Sequence, residues 1–280
     1  MKMALEPPRF DWYQGTVEMP SDYLVDIATT VLGDERPVPA PARNGYARGW
    51  EIRKEGARAA VVFEGGIHEH PHITASGENA PPLAKFLRGS TAPHRVSRAD
   101  VCVDTDSPGA FKSLFGALRT LTKDAGLTAV LMHNPDDVQA GATYYVGSKT
   151  SEVRARLYEK GKQLPDAERP DWVRFEVQAR PQRERKSWTA QADEWDVLGS
   201  AQWSRRFATE TLSAAATAPP TRSERVSDLE GALRTLGSQY GRRMLELLEL
   251  HGGDVAAFGL ELALRAENGG RLPESAKGVI

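Results

Sequence analysis

"VRARLYEKGKQ", residues 153–163, is the stretch on which the fold turns. Read with the two-residue period of a β-strand, one face carries Arg154, Arg156, Tyr158 and Lys160. The other carries Val153, Ala155 and Leu157, with Glu159 where the run ends. The same alternation recurs twice. In "RADVCVD" (98–104), Arg98, Asp100, Cys102 and Asp104 oppose Ala99, Val101 and Val103. In "VRFEVQAR" (173–180), Arg174, Glu176, Gln178 and Arg180 oppose Val173, Phe175, Val177 and Ala179. A half-buried strand normally turns ordinary solubilising residues to water. These three turn carboxylates, guanidiniums, a tyrosine and a lysine to one side.

Working outward, "AAVVFEGG" (59–66) and "HPHITASGE" (70–78) are β-like runs bounded by Gly and Pro. "PPLAKFLRGS" (81–90) predicts a short helix opened by proline. In "SPGAFKSLFGALRTLTKDAG" (107–126), Phe111, Leu114, Phe115, Leu118 and Leu121 recur at helical spacing and Gly126 closes the run. "ATYYVGSK" (142–149) is a further strand. Beyond about 190 the pattern is helical, most clearly in "LEGALRTLGSQYGRRMLELLELHGG" (229–253), and "SAAATAPPTRSE" (213–224) looks like a linker. No internal repeat is visible. The expected fold is α+β: a twisted, mainly antiparallel sheet with helices, including 109–125, on its apolar face and a polar DNA-binding and active-site face. The expected division is a catalytic domain over 1–190 and a helical region over 191–280 for DNA specificity or dimer contacts, with a boundary near 213 as the alternative.

Composition narrows the classes. The 280 residues are 40% hydrophobic with six Trp, eight Phe and seven Tyr, enough for a core and against disorder. The formal net charge is -2, so no global positive field advertises a polyanion partner and any such site must be local. Cys102 is the one cysteine, which excludes an internal disulfide and a cysteine-based zinc cluster. No apolar run approaches the roughly 20 residues of a membrane span, and the first residues lack the apolar core of a signal peptide. A soluble, cytoplasmic protein without a membrane partner is expected.

Two readings of the charged face stay open at this level. Acids and arginines on adjacent strands can simply neutralise each other. Alternatively, carboxylates bind a hard cation such as Mg²⁺ or Mn²⁺, arginines match phosphate oxygens, and a tyrosine among them attacks phosphorus.

The ordered set "RADVCVD", a helix, "TYYVGSKTSEVRARLYEKGKQ" and "WVRFEVQAR" resembles the replication initiation factor family, initiators of rolling-circle replication in plasmids and filamentous phages with relatives among relaxases. The resemblance covers about residues 95 to 185. It implies origin-specific nicking and joining of one DNA strand through a 5′-phosphotyrosine at Tyr158, flanked by Arg156 and Lys160. It implies a cation held by Asp100, Asp104 and Glu176, and a homodimer working beside a helicase. The family's turn falls on Gly147, Ser148, Lys149 and Ser151, with Lys149 in place of the usual Arg. Glu159 stands where Asp or Asn is common, and Gln178 where a second acid is often found. Arg154, Arg174, Arg180, Lys149, Arg183, Arg185 and Lys186 are candidate DNA contacts. Further arginines, Arg205, Arg206, Arg234, Arg242 and Arg243, lie on the C-terminal helices, where duplex origin choice is expected to reside.

Other residues are weighed and set lower. His68 and His70 share a face, but Glu69 separates them and Pro71 follows, so a turn is the better reading than a metal site. Tyr144 and Tyr145 are alternative nucleophiles without cationic neighbours in sequence. Trp188, Trp195 and Trp203 can stack on bases but more readily pack in the core. Cys102 is a small filler, and Asp106 a helix cap. The rival functions are a non-catalytic, sequence-specific DNA-binding regulator on the same scaffold, and a relaxase of a mobile element.

Overall fold

The structure is a computed structural model that describes residues 3–164, 168–220, 229–269 and 271–273. The chain divides into two compact units, Met1–Arg222 and Ser223–Ile280.

Among its described residues the first unit holds ten strands: β1 (Arg9–Val17), β2 (Val38–Ala40), β3 (Arg48–Lys54), β4 (Ala57–Glu64), β5 (His72–Ser76), β6 (His94–Thr105), β7 (Ala129–His133), β8 (Ala142–Val146), β9 (Val153–Glu159) and β10 (Val173–Ala179). They form one sheet in the order β2-β3-β4-β5-β1-β6-β10-β9-β8-β7. Every neighbouring pair is antiparallel. Its helices are α1 (Ser21–Leu32), α2 (Ala80–Gly89), α3 (Ala110–Asp124), α4 (Lys160–Gln163), α5 (Arg185–Gln191), α6 (Glu194–Leu198) and α7 (Gln202–Glu210). The α+β expectation holds.

The sheet is a repeat in topology. Each half runs strand, helix, then four strands, and its last strand returns beside its first: β1-α1-β2-β3-β4-β5, then β6-α3-β7-β8-β9-β10. The two first strands, β1 and β6, pair at the centre.

One face of this sheet is the core. Val101, Val103, Ala155, Leu157, Phe175 and Val177 are buried there, the alternate residues of β6, β9 and β10. Helix α1 buries Leu24, Ala28 and Leu32, at i, i+4, i+8. Helix α2 opens with proline and buries Ala80, Leu83, Ala84 and Leu87. Helix α3 buries Leu114, Leu118 and Leu121, as its spacing predicts. Tyr144 lies on this apolar side: its hydroxyl meets Thr122 Oγ1 at 2.9 Å and its ring meets Phe115 edge-on. It is thereby removed as a nucleophile candidate.

The two compact units divide not at 190 but within the linker expected over 213–224. Helices α5 and α6 pack on β6, α6 on β10, and α7 on α3. Val197, Leu198, Phe207 and Ala208 are buried, with the Phe207 ring 4.7 Å from that of Phe175. The sheet needs this cover, and the first unit runs to Arg222. A chain ending at 190 is therefore expected to aggregate or lose a cooperative melt, whereas one ending at 222 should melt cooperatively. Thermal unfolding of both checks this, and a soluble 1–190 chain melting within a few degrees of 1–222 would contradict it.

The second unit contains α8 (Leu229–Leu250) and α9 (Val255–Glu267). Asp254 caps α9 by accepting from Ala256 N at 2.8 Å and Ala257 N at 3.1 Å. Residues 221–224 of the expected linker lie outside the described residues. Among the described residues no helix is long and apolar enough to cross a membrane.

Candidate active site

The three strands read from sequence are adjacent, β6-β10-β9, so their charged faces do form one surface. Register sets it out in rows. Trp12, Asp100, Gln178 and Arg154 lie side by side. The next row is Arg9, Cys102, Glu176, Arg156 and Tyr145. The third is Asp104, Arg174, Tyr158 and Thr143.

Each expected cation ligand meets an arginine. Asp100 accepts from Arg98 Nε at 2.9 Å and from Arg98 Nη2 at 2.5 Å. Asp104 accepts from Arg174 Nε at 2.7 Å and Nη2 at 2.9 Å, and also from Arg9. Glu176 accepts from Arg156 Nη2 at 2.7 and 2.9 Å. The three carboxylates do not share one point. Asp100 and Asp104 are four strand residues apart, roughly 13 Å, beyond what two short side chains can span to a single cation at about 2.1 Å from each. Among the described residues no group of three acids, histidines or cysteines is placed to hold a metal. The expected three-carboxylate set is corrected accordingly: Asp104 stands apart.

Asp104 and Glu176 also differ electrostatically. Burial opposes charge on Asp104, but two guanidiniums, those of Arg174 and Arg9, outweigh it and hold the carboxyl below its usual range. Glu176 has one guanidinium, and burial together with Asp100 and Asp11 pushes its pKa up. Asp104 is a fixed anion; Glu176 is a carboxylate able to take a proton.

Tyr158 is only 6% exposed. Its hydroxyl donates a long hydrogen bond, 3.4 Å, to Glu176 Oε2, and the Arg156 guanidinium lies 5.3 Å from its ring centre. Burial first, and then Glu176, raise the phenol pKa well above its ordinary value. Arg174 and Arg156 lower it without outweighing burial. Lys160 begins α4 with Nζ 4.8 Å from the Trp172 ring, and burial lowers its pKa. Cys102 is inert, its thiol pushed up to about 12 chiefly by burial.

A cavity of about 30 Å³ opens on this face, lined by Arg98, Tyr145, Arg154, Arg156, Glu176 and Gln178. Tyr145, half-buried, therefore has the cationic neighbours that its sequence context lacked. Gln178 donates from Nε2 to Asp100 at 3.1 Å, while its Oε1 is buried without a partner.

The sequence reading missed Asp11 and Arg9. Both come from β1, where the register shifts between Phe10 and Trp12 and the strand's alternation breaks. Asp11 accepts from Arg174 Nη1 at 2.8 Å. Arg174, expected to touch DNA, is instead buried between Asp104 and Asp11. Arg174→Ala would leave Asp104 charged and under-paired in the interior, at a cost of about 3 kcal/mol of stability. Denaturant titration checks this, and a loss under about 1 kcal/mol would contradict it. Because Asp104 is depressed, the pair's contribution should persist above the normal aspartate range and vanish as pH falls through the lowered pKa.

Comparison with known proteins now bears on this surface. The family model described as replication initiation factor matches the chain over residues 117–215. The family resemblance is thus shown for that segment. The matched segment contains β8, β9, β10 and α5–α7, and with them Tyr145, Tyr158 and Glu176; Asp100 and Asp104 precede it. A solved structure, that of the rolling circle replication initiator protein from Geobacillus stearothermophilus, is similar at 22% identity and a TM-score of 0.49, covering 69% of this chain and 83% of that one. No curated protein matches.

The basic residues expected to meet DNA fall into two sets. Lys149, in the β8–β9 turn, and Arg183, after β10, are exposed, and Arg180 donates to Lys149 O at 3.2 Å. Arg185 is paired with Glu152 at 3.4 Å, and Lys186 is half-buried. Farther along, Arg205 donates to Gly199 O and Arg206 pairs with Glu210. In the second unit Arg242 and Arg243 are exposed and share Glu246, and the Arg234 side chain lies outside the described residues. Trp188, Trp195 and Trp203 pack against the core. His68 donates from Nε2 to Asn44 O at 2.7 Å and stacks on Tyr46, while His70 lies 3.9 Å from Glu69.

Proposed function

We propose that this chain nicks and rejoins one DNA strand at a replication origin, forming a 5′-phosphotyrosine at Tyr158. The observation that carries the reading is the Tyr158–Glu176 hydrogen bond within the arginine face, inside a segment of the matching family. Glu176, its pKa raised, accepts the phenolic proton. The phenolate oxygen bonds to phosphorus as the P–O3′ bond breaks, and the 3′ oxygen leaves as a hydroxyl. Lys160, with its lowered pKa, is suited to supply that proton. Arg156, released from Glu176 as the carboxylate is neutralised, is free to meet the developing charge on phosphate oxygens.

A divalent cation at Asp100 and Gln178 Oε1, in place of the expected triad, leaves Glu176 as the proton acceptor. Asp100 and Gln178 stand opposite each other across β6 and β10, and Gln178 Oε1 is an oxygen donor without a partner. Mg²⁺ commonly takes one or two carboxylates plus substrate phosphate and water. Bound there, Mg²⁺ or Mn²⁺ would supply Lewis-acid polarisation of the scissile phosphate. By the same family reading the protein acts as a homodimer beside a helicase, and the second unit contributes duplex recognition.

A second reading keeps the chemistry but moves the nucleophile to Tyr145, because it lines the cavity with three arginines. The test is incubation with a supercoiled plasmid bearing the DNA that flanks this chain's gene, with Mg²⁺ or excess EDTA, followed by denaturing electrophoresis. A denaturant-resistant protein–DNA adduct that needs the cation is expected. Full nicking in EDTA would remove the cation, and binding without any adduct would favour the non-catalytic regulator.

A further inference from the structure

The two halves of the sheet share a topology but not a chemistry. The face that carries acids and arginines on β6, β10 and β9 continues across β1, β5 and β4 with almost no charge. There, register places Trp12 beside Ser76, Gln14 beside Thr74, and Thr16 beside His72, which in turn faces Phe63. The helices α1 and α2 cover the opposite side of this half.

Aromatic groups gather on the uncharged face. Tyr46, in the loop before β3, stacks on His68 at 4.1 Å and lies 6.0 Å from Phe63 and 6.1 Å from His72. Tyr46 and His68 are half-buried, so their rings present a surface to solvent. Burial depresses His72 to about 4, which keeps it neutral at physiological pH. At the junction of the halves, Trp12 stands directly opposite Asp100 and stacks against the Arg98 guanidinium at 4.2 Å, with its indole N–H on Gln14. From Trp12 to Thr16 is four strand residues, roughly 13 Å, the reach of a few nucleotides.

We propose that this uncharged half-face, with Trp12 and Tyr46 as stacking platforms, binds the nucleobases of the single DNA strand whose phosphates the charged half grips. The proposal rests on the nicking reading for the identity of the strand. Its own support is complementarity and continuity: bases are neutral π-faces, the strand residues of the half-face are uncharged and partly aromatic, with Arg95 opposite Thr16 and Lys186 near His72 at its border, and Trp12 abuts the first row of the phosphate site. Phosphodiesters need arginines, and splayed bases need rings.

The test compares an oligo-dT of about twelve nucleotides with an abasic phosphodeoxyribose strand of equal length. Fluorescence anisotropy is read at fixed salt and in EDTA, using full-length protein. Wild type is expected to bind the oligo-dT about ten-fold more tightly than the abasic strand. Trp12→Ala and Tyr46→Leu should each lose most of that preference without weakening abasic binding, while Arg154→Ala should weaken both strands alike. Equal wild-type affinity for the two strands would overturn the proposal without recourse to any variant. So would an unchanged preference in folded Trp12 and Tyr46 variants. If adducts form but base preference is absent, this inference fails and nicking stands; base preference without an adduct reverses that outcome.

Discussion

Tyr158→Phe is expected to abolish the covalent protein–DNA adduct and lower nicking by at least about 10³-fold, near 4 kcal/mol of barrier. Binding of the same DNA should stay within a few-fold, because the ring that packs beneath Arg156 is kept and only the hydroxyl is lost. Tyr145→Phe should retain the adduct. The two tyrosines occupy adjacent rows, Tyr145 opposite Arg156 and Tyr158 opposite Arg174. Tyr145 has the more open position; Tyr158 has the carboxylate that can take its proton. A Tyr158→Phe protein that still forms an adduct, lost only with Tyr145→Phe, would transfer the nucleophile to the cavity wall.

Glu176→Gln should slow nicking by about 10²-fold or more, some 2.7 kcal/mol, through loss of the proton acceptor. The amide can still accept from Arg156, so the fold should survive. A pH profile separates this role from a merely structural one. Burial raises the Glu176 pKa, so the wild-type rate should fall as pH drops through a value above the ordinary carboxylate range. In Glu176→Gln that acid limb should disappear. An unchanged limb in the variant would assign the titration to another group, with Asp100 the next to examine.

What was legible in the sequence follows from what a two-residue period can carry. β6, β9 and β10 were readable because each keeps strict alternation through its length, and their adjacency brings the expected residues together. β1 was not, because the shift at Asp11 breaks the alternation and hides Asp11 and Arg9, which complete the Arg174 and Asp104 network. The topological repeat was invisible for a chemical reason. Where the second half places Asp104, Arg174 and Tyr158 across the sheet, the first places Thr16, His72 and Phe63, so equivalent strands share no residue pattern. A boundary near 190 and one near 213 could not be told apart because α5–α7 are short, and helical periodicity does not say which sheet a helix covers. The partners of the acids were beyond reach as well, since Arg98 bonds along its own strand to Asp100 while Arg156 bonds across to Glu176. One error was avoidable: four residues along a strand already separate Asp100 from Asp104 by more than a shared cation allows.

The most direct test of the central claim is to form the adduct on origin-bearing DNA with Mg²⁺, digest both DNA and protein, and locate the nucleotide-bearing peptide by mass spectrometry. The account predicts a phosphodeoxynucleotide on Tyr158, within the peptide that contains "LYEK". The modification on Tyr145, or no modified tyrosine despite measurable nicking, would contradict it.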